Sequence, residues 1–125
     1  MKIKRISKKN EFKEIFENGK KFYGEKLSFC IKTNELEKTL ALGIIISKKF
    51  VSKAVIRNYI RRVIKSFFYQ KQYNNLQIII RVYKKIEKQT KKEIFAIITK
   101  DIEKILLKTI ENKNEKNNNI FNKNL

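Results

Sequence analysis

Four cations recur at every fourth position between Lys53 and Lys65: Lys53, Arg57, Arg61 and Lys65. On a helix, residues four apart lie one above the other, so these form a slanting basic ridge, and Asn58 and Arg62 extend it around the helix. The chemistry of such a ridge is grip rather than turnover. A guanidinium fork matches a phosphate or a base edge, and lysine replaces it poorly there. The chain holds only five arginines among 31 basic residues, and Arg57, Arg61 and Arg62 are three of them. Lys48 and Lys49 stand just upstream, crowding positive charge at the expected start of the helix. Exposed cations there oppose the helix dipole at about 0.3–1 kcal/mol each. A phosphate seated in the gap would remove that cost. The plain alternative is a solvated basic face with no partner.

The element that must hold this ridge reads KAVIRNYIRRVIKSFF, from Lys53 to Phe68. Ile56, Ile60, Val63, Ile64 and Phe67 recur at helical spacing and give it one apolar face. Ser52 is placed to cap its first turn, and the pattern stops near Gln70.

At 125 residues the chain predicts a single domain. Its 42% apolar content is enough for a core, and its net charge of +19 points to polyanionic partners. A base-skewed coding sequence would inflate lysine but would not cluster arginine. Cys30 is the only cysteine, so no internal disulfide is available. Histidine is absent and Asp101 is the only aspartate. Histidine triads and histidine general bases are therefore excluded, and neither catalytic nor metal-ligating residues are assigned. No apolar run reaches the roughly 20 residues that cross a bilayer. The basic N-terminus lacks the apolar core of a signal peptide, so the expectation is a cytoplasmic chain with no membrane partner.

The remaining elements follow from periodicity. Residues 1–6 read as a basic arm, and Ser7 as the cap of a first helix whose Phe12, Ile15 and Phe16 share a face. Gly19 falls just past its end. An i, i+4 aromatic pair such as Phe12 and Phe16 usually packs in a core, but between basic arms the rings can also carry unstacked bases. Leu27, Phe29 and Ile31 alternate with Ser28, Cys30 and Lys32, and a short extra strand is expected around Phe22. Leu40, Leu42, Ile44 and Ile46 mark a second strand, read as the antiparallel hairpin partner of the first. Leu76 to Tyr83 reads as a strand buried on both faces, parallel to the one before the basic helix. Arg81, near its end, can extend the basic surface. Thr90 and Glu93 have capping-box spacing for a last helix with core positions Ile94, Ile98, Ile102, Ile105 and Leu106. The Asn/Lys-rich 111–125 reads as a frayed or disordered tail. The expectation is one α+β domain over 1–110, in the order α-β-β-(β)-α-β-α, with a central sheet packed by helices.

Ser47-Lys48-Lys49 followed by KAVIRNYIRR resembles the signature of the protein subunit of bacterial ribonuclease P. Lys53, Ala54, Val55, Arg57, Asn58, Arg61 and Arg62 fill its fixed places, and Phe12, Phe16 and Gly19 match its N-terminal pattern. The resemblance covers residues 4–110. It implies a protein that binds a large catalytic RNA, which with Mg²⁺ removes the 5′ leader from precursor tRNA. The protein would be an accessory subunit, inactive alone and monomeric before assembly. By motif match, Arg57, Asn58, Arg61 and Arg62 would bind the catalytic RNA, with Lys53 beside them and Lys65 continuing the same ridge. Phe12, Phe16, Lys48 and Lys49 would line the cleft for the leader. The resemblance also implies a left-handed strand-helix-strand crossover.

Three features depart from the pattern. The Phe50-Val51-Ser52 turn is one residue longer than is common and lacks a glycine. Cys30 stands where the cleft usually has an aromatic, and Val82-Tyr83 continues a strand that often turns. The competing functional classes are a generic RNA-binding module of ribosomal or assembly type, a protein of anionic membrane surfaces, and a protein-only nuclease.

Overall fold

The structure, a computed structural model, describes residues 3–123 apart from residue 72, with side chains through 109. Its elements are β1 (Lys4–Arg5), α1 (Lys9–Asn18), β2 (Lys20–Tyr23), β3 (Leu27–Thr33), β4 (Ala41–Ile45), α2 (Ala54–Lys71), β5 (Leu76–Val82) and α3 (Lys91–Lys123). Five strands form one sheet in the order β1-β4-β5-β3-β2. The expected α+β domain is present, with α1 on one face of the sheet and α2 and α3 on the other. The tail expected at 111–125 falls on residues whose side chains lie outside those described.

Alternation divides the strands between two cores. Leu27, Phe29, Leu42, Ile78 and Ile80 point to α2 and α3 and join Ile60, Ile64, Phe68, Ile98 and Ile102 in the main core. Cys30, Ala41 and Ile79 point the other way and meet Ile15 of α1 in a smaller one. The α3 face is Ile94, Ile98, Ile102, Ile105 and Leu106, all buried, as the spacing predicts. The Thr90–Glu93 box closes too: Glu93 N–H donates to Thr90 Oγ1 (3.2 Å) and Thr90 N–H to Glu93 Oε1 (3.3 Å). On α2 the fully buried aromatic is Phe68, with Phe67 packed at the margin.

The sheet corrects the expected hairpin. β3 and β4 are not neighbours, because β5 lies between them, antiparallel to β3 and parallel to β4. A strand as apolar as Leu76–Val82 needs a pairing partner at both edges, and β3 and β4 supply them. The N-terminal arm is also a strand in part. Lys4 and Ile6 N–H groups donate to the carbonyls of Leu40 (2.8 Å) and Leu42 (3.0 Å), and Ile6 is buried.

The hand of the β4–α2–β5 unit follows from residue chirality. Leu42 directs its carbonyl at β1 and its side chain into the core shared with α2. For an L-residue on an ascending strand, a side chain facing the viewer puts the carbonyl on the right. β1 is therefore right of β4, β5 is left of it, and α2 lies in front. The crossover is left-handed, against the usual rule.

Three local expectations change. Lys8, not Ser7, occupies the N-cap of α1 and makes no side-chain cap bond. Gly19 does end α1, but at φ −82°, so handedness does not select glycine there. Space does: a Cβ would lie 2.7 Å from Cys30 Sγ and 2.6 Å from the Ile15 carbonyl. Helix α2 starts at Ala54, with Arg57 N–H closing onto the Lys53 carbonyl (3.1 Å), so the cap position belongs to Lys53 rather than Ser52.

Candidate nucleic-acid interface

The ridge residues lie along α2 as their spacing predicts, and they are not equivalent. Lys53, Asn58, Arg62 and Lys65 are exposed, whereas Arg57 and Arg61 are half-buried. Arg57 Nη1 donates to the carbonyls of Val51 (2.9 Å) and Ser52 (2.8 Å). It thereby ties the long turn before α2 to the helix. Arg61 Nη1 approaches Asn58 Oδ1 at 3.4 Å, and Arg62 stands 6.0 Å over the ring of Tyr59. Ion pairs among the described residues join Lys4 to Glu37, Lys32 to Glu14 and Lys85 to Glu87, none of them on the ridge. Its cations are left to face an outside anion.

The second surface is the α1 side of the sheet. Register places Tyr23, Ser28, Arg81 and Ile45 in one row across β2, β3, β5 and β4. The adjacent row is Lys21, Cys30, Ile79 and Gly43. Helix α1 covers part of the second row and leaves a cavity of about 210 Å³ lined by Phe16, Lys21, Tyr23, Ser28, Cys30 and Arg81. Aromatic rings, a hydroxyl and two cations around one hollow can stack a base and hold its backbone without reading a fixed sequence.

Phe16 is one of the residues lining this cavity. Phe12 lies farther along α1, 6.4 Å from Phe16 between centroids, and packs over Gly43; a Cβ there would come within 2.8 Å of its ring. Lys48 and Lys49 are exposed in the turn beyond β4 and are not among the lining residues. That turn carries the chain from the cleft end of β4 into α2, so the two surfaces meet there.

Cys30 is less open than its alternating position implies. It is 3% exposed and its thiol donates to the Ile15 carbonyl (3.1 Å). Burial pushes the thiol up from its ordinary 9.0, and Lys21 nearby opposes that rise. The aromatic wall comes instead from Tyr23, 60% exposed on β2 and edge-on to Tyr83 at 5.6 Å. Lys21, Tyr23 and Ser28 were not among the sequence-based cleft residues. Alternation could have placed Lys21 and Tyr23 on this face, because both alternate with the inward Phe22.

Asp101 secures the turn behind that wall. Its carboxylate, 3% exposed on α3, accepts the backbone N–H groups of Glu25 (2.8 Å), Lys26 (2.9 Å) and Leu27 (3.0 Å). The Tyr83 hydroxyl donates to the Gly24 carbonyl in the same turn. The single aspartate is therefore a structural anchor. Among the described residues no cluster of acids, cysteine or histidine has the makings of a metal site, and no helix is long and apolar enough to cross a membrane.

A +19 α+β domain with an arginine ridge and a basic, aromatic-lined cleft belongs to the RNA-binding class of proteins. The model of the Ribonuclease P family matches residues 1–109. The ribonuclease P protein component of Legionella pneumophila (strain Lens) is 34% identical over 104 residues, covering 83% of this chain and 90% of that protein. That of Chlamydia felis is 29% identical over 113 residues, covering 90% and 78%. The solved RNase P protein of Staphylococcus aureus superposes with a TM-score of 0.70 at 25% identity, over 82% of this chain and 94% of that one. The Thermotoga maritima protein shares the fold, with a TM-score of 0.63 at 22% identity over 82% and 94%. The chain belongs to the ribonuclease P protein family.

Proposed function

We propose that this chain binds the catalytic RNA of ribonuclease P along α2 and the 5′ leader of precursor tRNA across the α1 face of the sheet. In this reading it assists endonucleolytic removal of the leader and is not itself the catalyst. The observation that carries the proposal is the Arg57–Arg61–Arg62 ridge, built on a rigid helix of a family member and free of ion pairs among the described residues. Arginines on a rigid helix suit the backbone of a folded RNA. A single-stranded leader of varied sequence calls for stacking and charge, which Phe16, Tyr23, Lys21 and Arg81 offer.

The protein's part is positional. Phosphate neutralisation on α2 would hold the catalytic RNA, and the cleft would hold the leader in a fixed relation to it. Mg²⁺ would come with the RNA and serve the hydrolysis there. Adding the protein to its catalytic RNA at physiological Mg²⁺ should raise the rate of precursor cleavage. No stimulation would leave a generic RNA-binding module as the better reading, and cleavage by the protein alone would favour a protein nuclease.

A further inference from the structure

Tyr59 lies on α2 one turn before Arg62, and it joins two elements that the ridge alone does not connect. Its hydroxyl donates to the carbonyl of Lys91, the first residue of α3 (3.3 Å). Arg62 stands 6.0 Å from its ring centroid and the Lys91 ammonium 5.6 Å from it. One aromatic ring therefore holds two cations from two helices. Cation–π attraction offsets part of their mutual repulsion but leaves both charges in place.

No acid among the described residues forms an ion pair with either cation. The nearest acid along α3, Glu93, is turned back onto Thr90, with Oε1 accepting from its hydroxyl (3.0 Å) and its N–H (3.3 Å). Glu87, before α3, pairs with Lys85 at 3.7 Å. Lys91 also opposes the dipole of its own helix. Three unfavourable placements coincide at one exposed spot, and a polyanion lying across it would relieve all three.

We propose that the surface for the catalytic RNA continues from α2 across Tyr59 onto the first turn of α3, where Arg62 and Lys91 hold the RNA backbone as a pair. This rests on the reading that α2 binds that RNA. The pair gives the interface a second helix, so the RNA would meet a two-helix platform rather than one ridge. Tyr59 is a positioning residue in it, setting the spacing of the two cations.

The test compares Lys91→Ala with Lys100→Ala, which removes the same charge from an exposed site farther along α3. Binding of the full chain to the catalytic RNA is measured over a salt series. Lys91→Ala should weaken binding about three- to tenfold and lower the slope of log K against log salt by about 0.7–0.9, the share of one phosphate contact. Lys91→Arg should restore both, and Lys100→Ala should match the parent chain. Equal behaviour of Lys91→Ala and Lys100→Ala in affinity and slope overturns the inference while leaving the function standing. Failure of the parent chain to prefer the catalytic RNA over an unrelated structured RNA overturns both.

Discussion

Asp101 on α3 accepts the N–H of Leu27 at 3.0 Å, across 74 positions of sequence, and so ties the first residue of β3 to the last helix. Two further N–H groups of the same turn share that carboxylate. Asp101→Ala would leave one buried and two part-buried donors without an acceptor, so a loss of about 1–3 kcal/mol in unfolding free energy is expected. Urea denaturation measures it. A loss within experimental error would show that water serves the turn equally well.

Arg57 and Arg61 should separate in their effects. Because Arg57 holds the carbonyls of Val51 and Ser52, Arg57→Ala should lower stability by about 1–2 kcal/mol and also weaken binding to the catalytic RNA. Arg61→Ala should weaken binding with little change in melting temperature. Matched thermal melts and binding curves decide this; equal melting temperatures for the two variants would contradict the tie seen at the head of α2.

The cleft predicts a substrate-dependent defect. Phe16→Ala and Tyr23→Ala should each cost about 1–3 kcal/mol of affinity for leader-bearing precursor, the range for a lost base stack. Mature tRNA should be little affected. If both substrates suffer equally, the rings serve packing alone.

Cys30 carries a pH dependence. Its folded thiol is pushed above 9.0, first by burial, with Lys21 opposing. The unfolded chain therefore releases the proton at lower pH than the folded one. The stability tied to the protonated thiol is fully present below about pH 9 and is lost as pH rises through the higher folded value. Tyr73, also raised by burial from 10.0, adds the same trend at higher pH. Denaturant midpoints should fall above pH 9, and less steeply in Cys30→Ala. A midpoint that rises over that range would refute the sign.

The parts legible in the sequence were those encoded locally. The α2 ridge, the Thr90–Glu93 box and the buried isoleucines of α3 each follow from spacing within one element. Pairing between distant strands was not legible, because alternation tells which face a residue takes and not which strand lies beside it. So β5 between β3 and β4 went unread, and with it the row that joins Tyr23 and Ser28 to Arg81. Strand β1 is two charged residues long and has no periodicity to detect. Gly19 was placed correctly for a different reason, since its neighbour Cys30 is fixed only by the tertiary fold. The twofold task of Arg57 was hidden for the same cause: a ridge shows where a guanidinium starts, not which carbonyls it can reach.

The place of β5 also orders events during synthesis. The middle strand of the sheet is translated after both of its neighbours. Until Leu76–Val82 leaves the ribosome, β3 and β4 each present a bare edge, and the left-handed loop through α2 stays open. The nascent chain must therefore carry its most basic helix before it owns a finished sheet, and insertion of one apolar strand closes cleft, crossover and core together.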